Sequence, residues 1–215
     1  MQYREIGNTG IRLSALGFGA MRLPKDEDAA IDVLHRALER GVNYLDTALV
    51  YGESERVCGR ALKGWRDRIY LSTKNPLHDN TIEGWWSRLN QSLERLDTDH
   101  IDFYQVVHGL SWESYERFLV GAGGMKAVRQ AQEQGLIRHV CFSCHDRPEN
   151  IVKLIDTGEF EGMTVQYNLL DRSNEQPIAH AASRGMAVIV MGPVGGGRLD
   201  APSEQIRRMI STEVK

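Results

Sequence analysis

One unit recurs along this chain and limits what it can become: an amphipathic helix, a glycine, then a short apolar strand. Residues 26–48 show it first. Asp26 stands where an N-cap belongs. Ala30, Val33, Leu34, Ala37 and Leu38 fall at helical spacing on one face. Gly41 takes the position of a left-handed C-cap. VNYLDTA follows, with the β-branched and aromatic content of a strand. The unit returns around 124–134, where a helix ends near Gly135 and leads into IRHVCFS, and around 173–184, where one ends near Gly185 and leads into AVIVMG. A helix at 81–96 carries Ile82, Trp86, Leu89, Leu93 and Leu96 on one side, and another begins near Pro148 with Asp146 as its candidate cap. Seven strands are expected, at 15–20, 43–48, 69–74, 101–107, 139–144, 163–168 and 187–192. Strands that alternate with helices pair in parallel through right-handed crossovers. No long Pro/Gly/Ser-rich linker interrupts the series, so residues 1–215 read as a single α/β domain.

Two architectures satisfy this order, an open doubly wound sheet and a closed TIM-type barrel. The open sheet needs G-x-G-x-x-G directly after its first strand. LGFGAMRLP has the first two glycines and lacks the third. The polar residues favour the barrel: Asp46, Lys74, His108 and Ser143 each lie at or just beyond the C-terminal end of a different strand, the face on which barrels build their sites.

Bulk properties remove several function classes. Charged residues make up 26% and the formal net charge is −3, with no basic stripe for nucleic acid. No stretch approaches the roughly 18 consecutive apolar residues of a membrane helix, and MQYREIGNTG lacks the apolar segment of a signal peptide. Neither a nucleic-acid nor a membrane partner is expected. Cys58, Cys141 and Cys144 are a sparse, odd set that fits a reducing compartment, so a cytoplasmic location is expected. Cys141 and Cys144 spell C-x-x-C, but residues three apart on a strand face opposite sides. His78, His139, His145 and His180 share no ligand spacing, and no metal site is expected.

Reducing a carbonyl with a hydride donor requires a proton at the oxygen as hydride reaches the carbon. A tyrosine, with an ordinary pKa of about 10, is a reluctant acid. A neighbouring lysine cation stabilises its phenolate, a carboxylate keeps that cation in place, and a histidine can hydrogen-bond the carbonyl oxygen. Asp46, Tyr51, Lys74 and His108 supply this set from three strands that neighbour one another in a barrel. Singly, Asp46 and Lys74 could be a structural ion pair and His108 a packed histidine. The four together point to chemistry.

GVNYLDTALVYGESERVCGRAL at 41–62 resembles the signature of the aldo-keto reductase family. STK at 72–74, DTDHIDFYQVVHG at 97–109, FSCHD at 142–146, VQYNLLDR at 165–172 and VMGPVGGGRL at 190–199 resemble further segments of that family, in the same order along nearly the whole chain. The resemblance implies a (β/α)8 barrel whose bottom is plugged by a hairpin, here YREIGNTGIRLS. It implies that Tyr51 is the general acid, Lys74 tunes it, Asp46 anchors Lys74 and His108 positions the carbonyl. It assigns NADPH, with NADH as the other donor, to Ser143 and Gln166 at the carboxamide and to the backbone of Gly195, Gly196 and Gly197 at the pyrophosphate, where glycine lets a ligand approach closely. Met191 stands where many members stack an aromatic ring on the nicotinamide, and Cys144 where many have an Asn. Met21, with its neighbour Arg22, and Trp112 are candidate walls of the substrate pocket. FSCHD and VMGPVGGG resemble a bacterial branch often followed by an iron–sulfur domain.

Length sets a further expectation. A full barrel has eight strands and about 250 residues, whereas about two dozen residues follow the seventh strand here. They suffice for a helix at 203–214, so the eighth βα unit is expected to be missing and the barrel C-terminally incomplete. Such a barrel has two unpaired edges, which self-association could cover. The expected activity is reduction of an aldehyde or ketone. The alternative is a cofactor-binding regulatory protein or an inactive truncated barrel.

Overall fold

The computed structural model describes residues 1–200 together with Ser203, Glu204 and Arg207; the helix expected at 203–214 lies mostly outside the described residues. The chain opens with the expected hairpin, β1 (Tyr3–Glu5) paired antiparallel to β2 (Arg12–Ser14). Seven parallel strands follow: β3 (Phe18–Gly19), β4 (Tyr44–Asp46), β5 (Tyr70–Lys74), β6 (Ile101–Gln105), β7 (Ile137–Cys144), β8 (Gly162–Gln166) and β9 (Ala187–Met191). Each is hydrogen-bonded to the next in chain order, so β3 and β9 end the sheet. The sheet curls into a half-barrel: Tyr44 near one end and Ala187 at the other share one interior cluster with Phe103 and Cys141. The hairpin closes its bottom by adding Ile6 and Leu13 to that cluster. Gly7 allows the docking, because at φ +49° a Cβ there would lie 2.4 Å from the Gly185 carbonyl oxygen.

The first strand is shorter than its expected 15–20. The Ala15 N–H is committed to Gln2 of the hairpin at 2.8 Å and the Ser14 hydroxyl to the Leu16 carbonyl at 2.8 Å. The helices are α1 (Glu27–Glu39), α2 (Ser54–Ala61), α3 (Ile82–Leu96), the single turn α4 (Trp112–Ser114) running into a π-helical stretch at Tyr115–Gly121, α5 (Gly124–Glu133), α6 (Pro148–Asp156) and α7 (Glu175–Ser183). They cover the outside of the sheet, where Leu45 and Leu71 face α1 and α2, and Phe142 and Val165 face the helices of the second half.

Asp26 caps α1, its Oδ1 accepting from Ala29 N at 2.9 Å, and Gly41 turns the chain at φ +88°. The buried stripe of α1 is Ala30, Leu34 and Leu38, while Val33 stays 41% exposed; the stripe is narrower than the apolar spacing implied. On α3 the buried face is rotated. Trp85, Leu89, Ser92 and Leu96 point inward and Ile82 is 40% exposed. The indole N–H of Trp85 reaches the Val106 carbonyl at 2.8 Å, a bond that Trp86 at the next position cannot make. Asp146 does not cap α6. Arg147 is the N-cap residue, and the Asp146 carboxylate accepts from Trp112 N at 2.9 Å and from the Asn150 side chain, tying the loop after β6 to that after β7. Cys141 and Cys144 lie in different clusters, the first inside the barrel and the second beneath the helices, as strand alternation requires.

Candidate active site

Asp46, the last residue of β4, and Lys74, the last of β5, point inward at the C-terminal end of the sheet. The Lys74 ammonium donates to Asp46 Oδ2 at 2.5 Å and to the Thr47 carbonyl at 2.6 Å, and the side chain is 3% exposed. The Ser72 hydroxyl donates to the other oxygen of Asp46 at 2.9 Å. A buried lysine cation needs such partners to remain charged.

The chain then turns back over the strand ends. Tyr51 N–H donates to the Ala48 carbonyl at 3.0 Å and Ser54 N–H to the Tyr51 carbonyl at 3.1 Å, which starts α2. Arg95 of α3 reaches the carbonyls of Leu49 and Gly52, on either side of Tyr51, at 3.5 and 3.3 Å. This loop sets the Tyr51 ring with its centroid 5.2 Å from Lys74 Nζ. His108, three residues past β6, stands edge-on to the same ring at 5.9 Å and 83°. Four side chains from three adjacent strand ends and one loop therefore meet around one point.

Burial depresses the His108 imidazole below its ordinary value, and the Lys74 cation and His145 push it the same way against the pull of Asp46. A neutral imidazole keeps one N–H to donate. As pH falls through about 6.5, the ordinary histidine value, the unfolded chain takes up a proton that folded His108 resists, so the native state loses stability with acidification. The loss is complete below the depressed folded value. His108→Asn is expected to lose less Tm than wild type between pH 7.5 and 5 in matched thermal melts. Parallel curves would show that His108 does not titrate abnormally.

Ser143 lies at the end of β7. Its Oγ accepts from Gly109 N at 3.0 Å, which joins it to the loop carrying His108. Next to it Cys144 is buried, its thiol pushed up to about 11 mainly by burial, so it stays a neutral thiol. Gln166 and Met191 are cross-strand partners at the ends of β8 and β9. The Gln166 amide fills the space of the missing side chain of Gly192, where a Cβ would sit 2.4 Å from Oε1. Gly195, Gly196 and Gly197 follow in a tight turn with φ of +59°, +70° and +95°, and Arg198 Nε donates to the Gly195 carbonyl at 2.9 Å. Met21 lies in the turn after β3 and is 54% exposed. Trp112 stacks on Tyr115 at 5.2 Å, with Lys153 Nζ 5.4 Å from its ring.

Sequence reasoning missed Ser72, Thr47 and Arg95 as supports of this site. Thr47 acts through its carbonyl, which residue type does not reveal. Ser72 sits two residues before Lys74 on the same face of β5, and that spacing was the available signal.

A family model described as "Aldo/keto reductase family" matches residues 15–215. The uncharacterized oxidoreductase YqkF of Bacillus subtilis is 30% identical over 95% of this chain and 69% of its own length. L-galactose dehydrogenase of Arabidopsis thaliana is 29% identical over 93% of this chain and 67% of its own. Among solved structures, aldo-keto reductase AKR11C1 from Bacillus halodurans, in a holo form, superposes with a TM-score of 0.87 at 30% identity, covering 99% of this chain and 78% of that one.

Proposed function

The chain belongs to the aldo-keto reductase family, and from that premise we propose that it reduces an aldehyde or ketone to an alcohol with NADPH, or NADH, Tyr51 giving the proton. The observation that carries the reading is the buried Lys74 ammonium, fixed by Asp46 and Thr47 and lying 5.2 Å from the centre of the Tyr51 ring, with His108 on the ring's edge.

The residues around the strand ends fit a nicotinamide dinucleotide. Gln166 and Met191 lie side by side across β8 and β9, and three successive glycines at positive φ leave the turn after β9 without side chains. Ser143 and Gln166 would hold the carboxamide, Met191 would pack on the ring and the turn would meet the pyrophosphate. When bound, the nicotinamide supplies a hydride to the carbonyl carbon. The Tyr51 hydroxyl releases its proton to the carbonyl oxygen, and the Lys74 cation stabilises the phenolate left behind. Neutral His108 donates its N–H to the same oxygen and holds the carbonyl in line. Met21 and Trp112 would line the substrate side.

Cys58, Cys141 and Cys144 are all free and buried, which suits a cytoplasmic enzyme. Among the described residues β3 and β9 end the sheet, and self-association would cover those edges; sedimentation as a monomer at micromolar concentration would exclude that. The activity is tested by mixing the chain with NADPH and a panel of aldehydes and following cofactor absorbance. Turnover is expected. Quenching of tryptophan fluorescence by NADPH without turnover would indicate a binding protein instead, and neither signal would indicate an inactive chain.

A further inference from the structure

The geometry points to Asn75 as a positioning residue that holds Lys74 and His108 in a fixed relation to each other; this rests on the reductase reading above. Asn75 follows Lys74 directly and is 1% exposed. Its backbone extends the pairing of β5 and β6, because its N–H donates to the Gln105 carbonyl at 3.0 Å and its carbonyl accepts the His108 N–H at 2.7 Å. The peptide groups around one residue thus connect the strand end that carries the cation to the loop that carries the imidazole.

The side chain fixes those peptide groups in place. Nδ2 donates to the Trp85 carbonyl and to the Tyr104 hydroxyl, both at 2.9 Å, and Oδ1 accepts from Arg88 Nε at 2.9 Å. Arg88 is gripped in turn by both oxygens of Asp79 at 3.1 Å. Two donors and an acceptor, each matched on a buried side chain, leave the amide a single orientation. Trp85 adds a second tie through its indole N–H to Val106, two residues before His108. An aliphatic residue at 75 would strand the Tyr104 hydroxyl, the Trp85 carbonyl and Arg88 Nε without this partner. The backbone at 74–76 could then relax toward α3, carrying the His108 contact with it. Misplacements of about 1 Å can cost on the order of 10²-fold in rate.

The test compares the full chain with Asn75→Ala and Arg88→Met, each alone and combined with His108→Asn. Asn75→Ala is expected to lower kcat by about 10- to 100-fold with KM for NADPH nearly unchanged. In the His108→Asn background its further cost in kcat should be smaller than in wild type, leaving only the part that acts through Lys74, while Tm still falls. Independently of turnover, NMR titration of the His108 ring should move back toward the ordinary histidine value in Asn75→Ala, as the imidazole loses the burial, and with it the nearby Lys74 cation, that depress it. Arg88→Met should move it in the same direction by less. If wild type shows no turnover, the reductase reading fails and the titration still decides. A folded Asn75→Ala protein with unmoved His108 titration and unmoved kcat overturns the proposal. If that variant does not fold, an unmoved titration in Arg88→Met overturns it.

Discussion

Tyr51→Phe is expected to lower kcat for aldehyde reduction by about 10²- to 10⁴-fold, the usual contribution of a positioned proton donor, while the Kd for NADPH changes by no more than about threefold. The substitution removes one oxygen and keeps the ring, so the edge contact with His108 at 5.9 Å and the neighbouring Lys74 remain. Catalysis loses a step and the fold loses almost nothing: the Tyr51 backbone, not its hydroxyl, makes the turn that starts α2. Single-turnover oxidation of bound NADPH by excess aldehyde, with cofactor affinity read separately from fluorescence quenching, checks both halves. Loss of NADPH binding together with activity would mean that Tyr51 belongs to the cofactor site.

The second large effect is at Lys74. Lys74→Met should lower kcat by a similar factor and also destabilise the protein by about 3 kcal/mol, the lower end for breaking a buried ion pair, since Asp46 keeps 21% side-chain exposure to soften the loss. The two effects come apart in the double variant. Adding Asp46→Asn removes the stranded carboxylate, so part of the lost stability should return, and no activity should return with it, because the cation beside Tyr51 is still missing. Chemical denaturation and steady-state kinetics on the four proteins of this cycle measure the separation. If stability and activity recovered together, Asp46 and Lys74 would be a structural pair and nothing more.

Asp46, Lys74 and His108 were legible because each lies at or just past a strand end, and strand ends follow from alternation and from the glycines before each strand; Tyr51 lies in the loop after β4. Asp46, Lys74 and His108 needed only that reading plus the neighbour order of a parallel barrel. The outer helices were less legible. On α3 the apolar residues Ile82, Trp85, Trp86, Leu89 and Leu93 are spread so widely that periodicity fits two faces, and the bond from Trp85 to Val106 chooses between them. Helix α2 was not anticipated as a helix, since SERVCGRA has a glycine and few large apolar residues; tertiary packing of Val57, Cys58 and Ala61 makes it one. Asp146 had the residue type of a cap, but its carboxylate serves the loop of Trp112 across the strand ends. The supports of the site are the least legible part. Thr47 acts through its backbone carbonyl, and Arg95 and Arg88 reach in from α3, 43 residues from Gly52 and 13 from Asn75 respectively.

Proton transfer from Tyr51 is expected to accompany hydride transfer to the same carbonyl. The deciding measurement is the single-turnover rate constant with NADPH and with its 4-deuterated form, in H₂O and in D₂O. Two normal isotope effects on one step are expected, with the solvent effect lost in whatever activity Tyr51→Phe retains. A cofactor isotope effect with no solvent effect in the wild-type protein, or a solvent effect that survives in Tyr51→Phe, would contradict it.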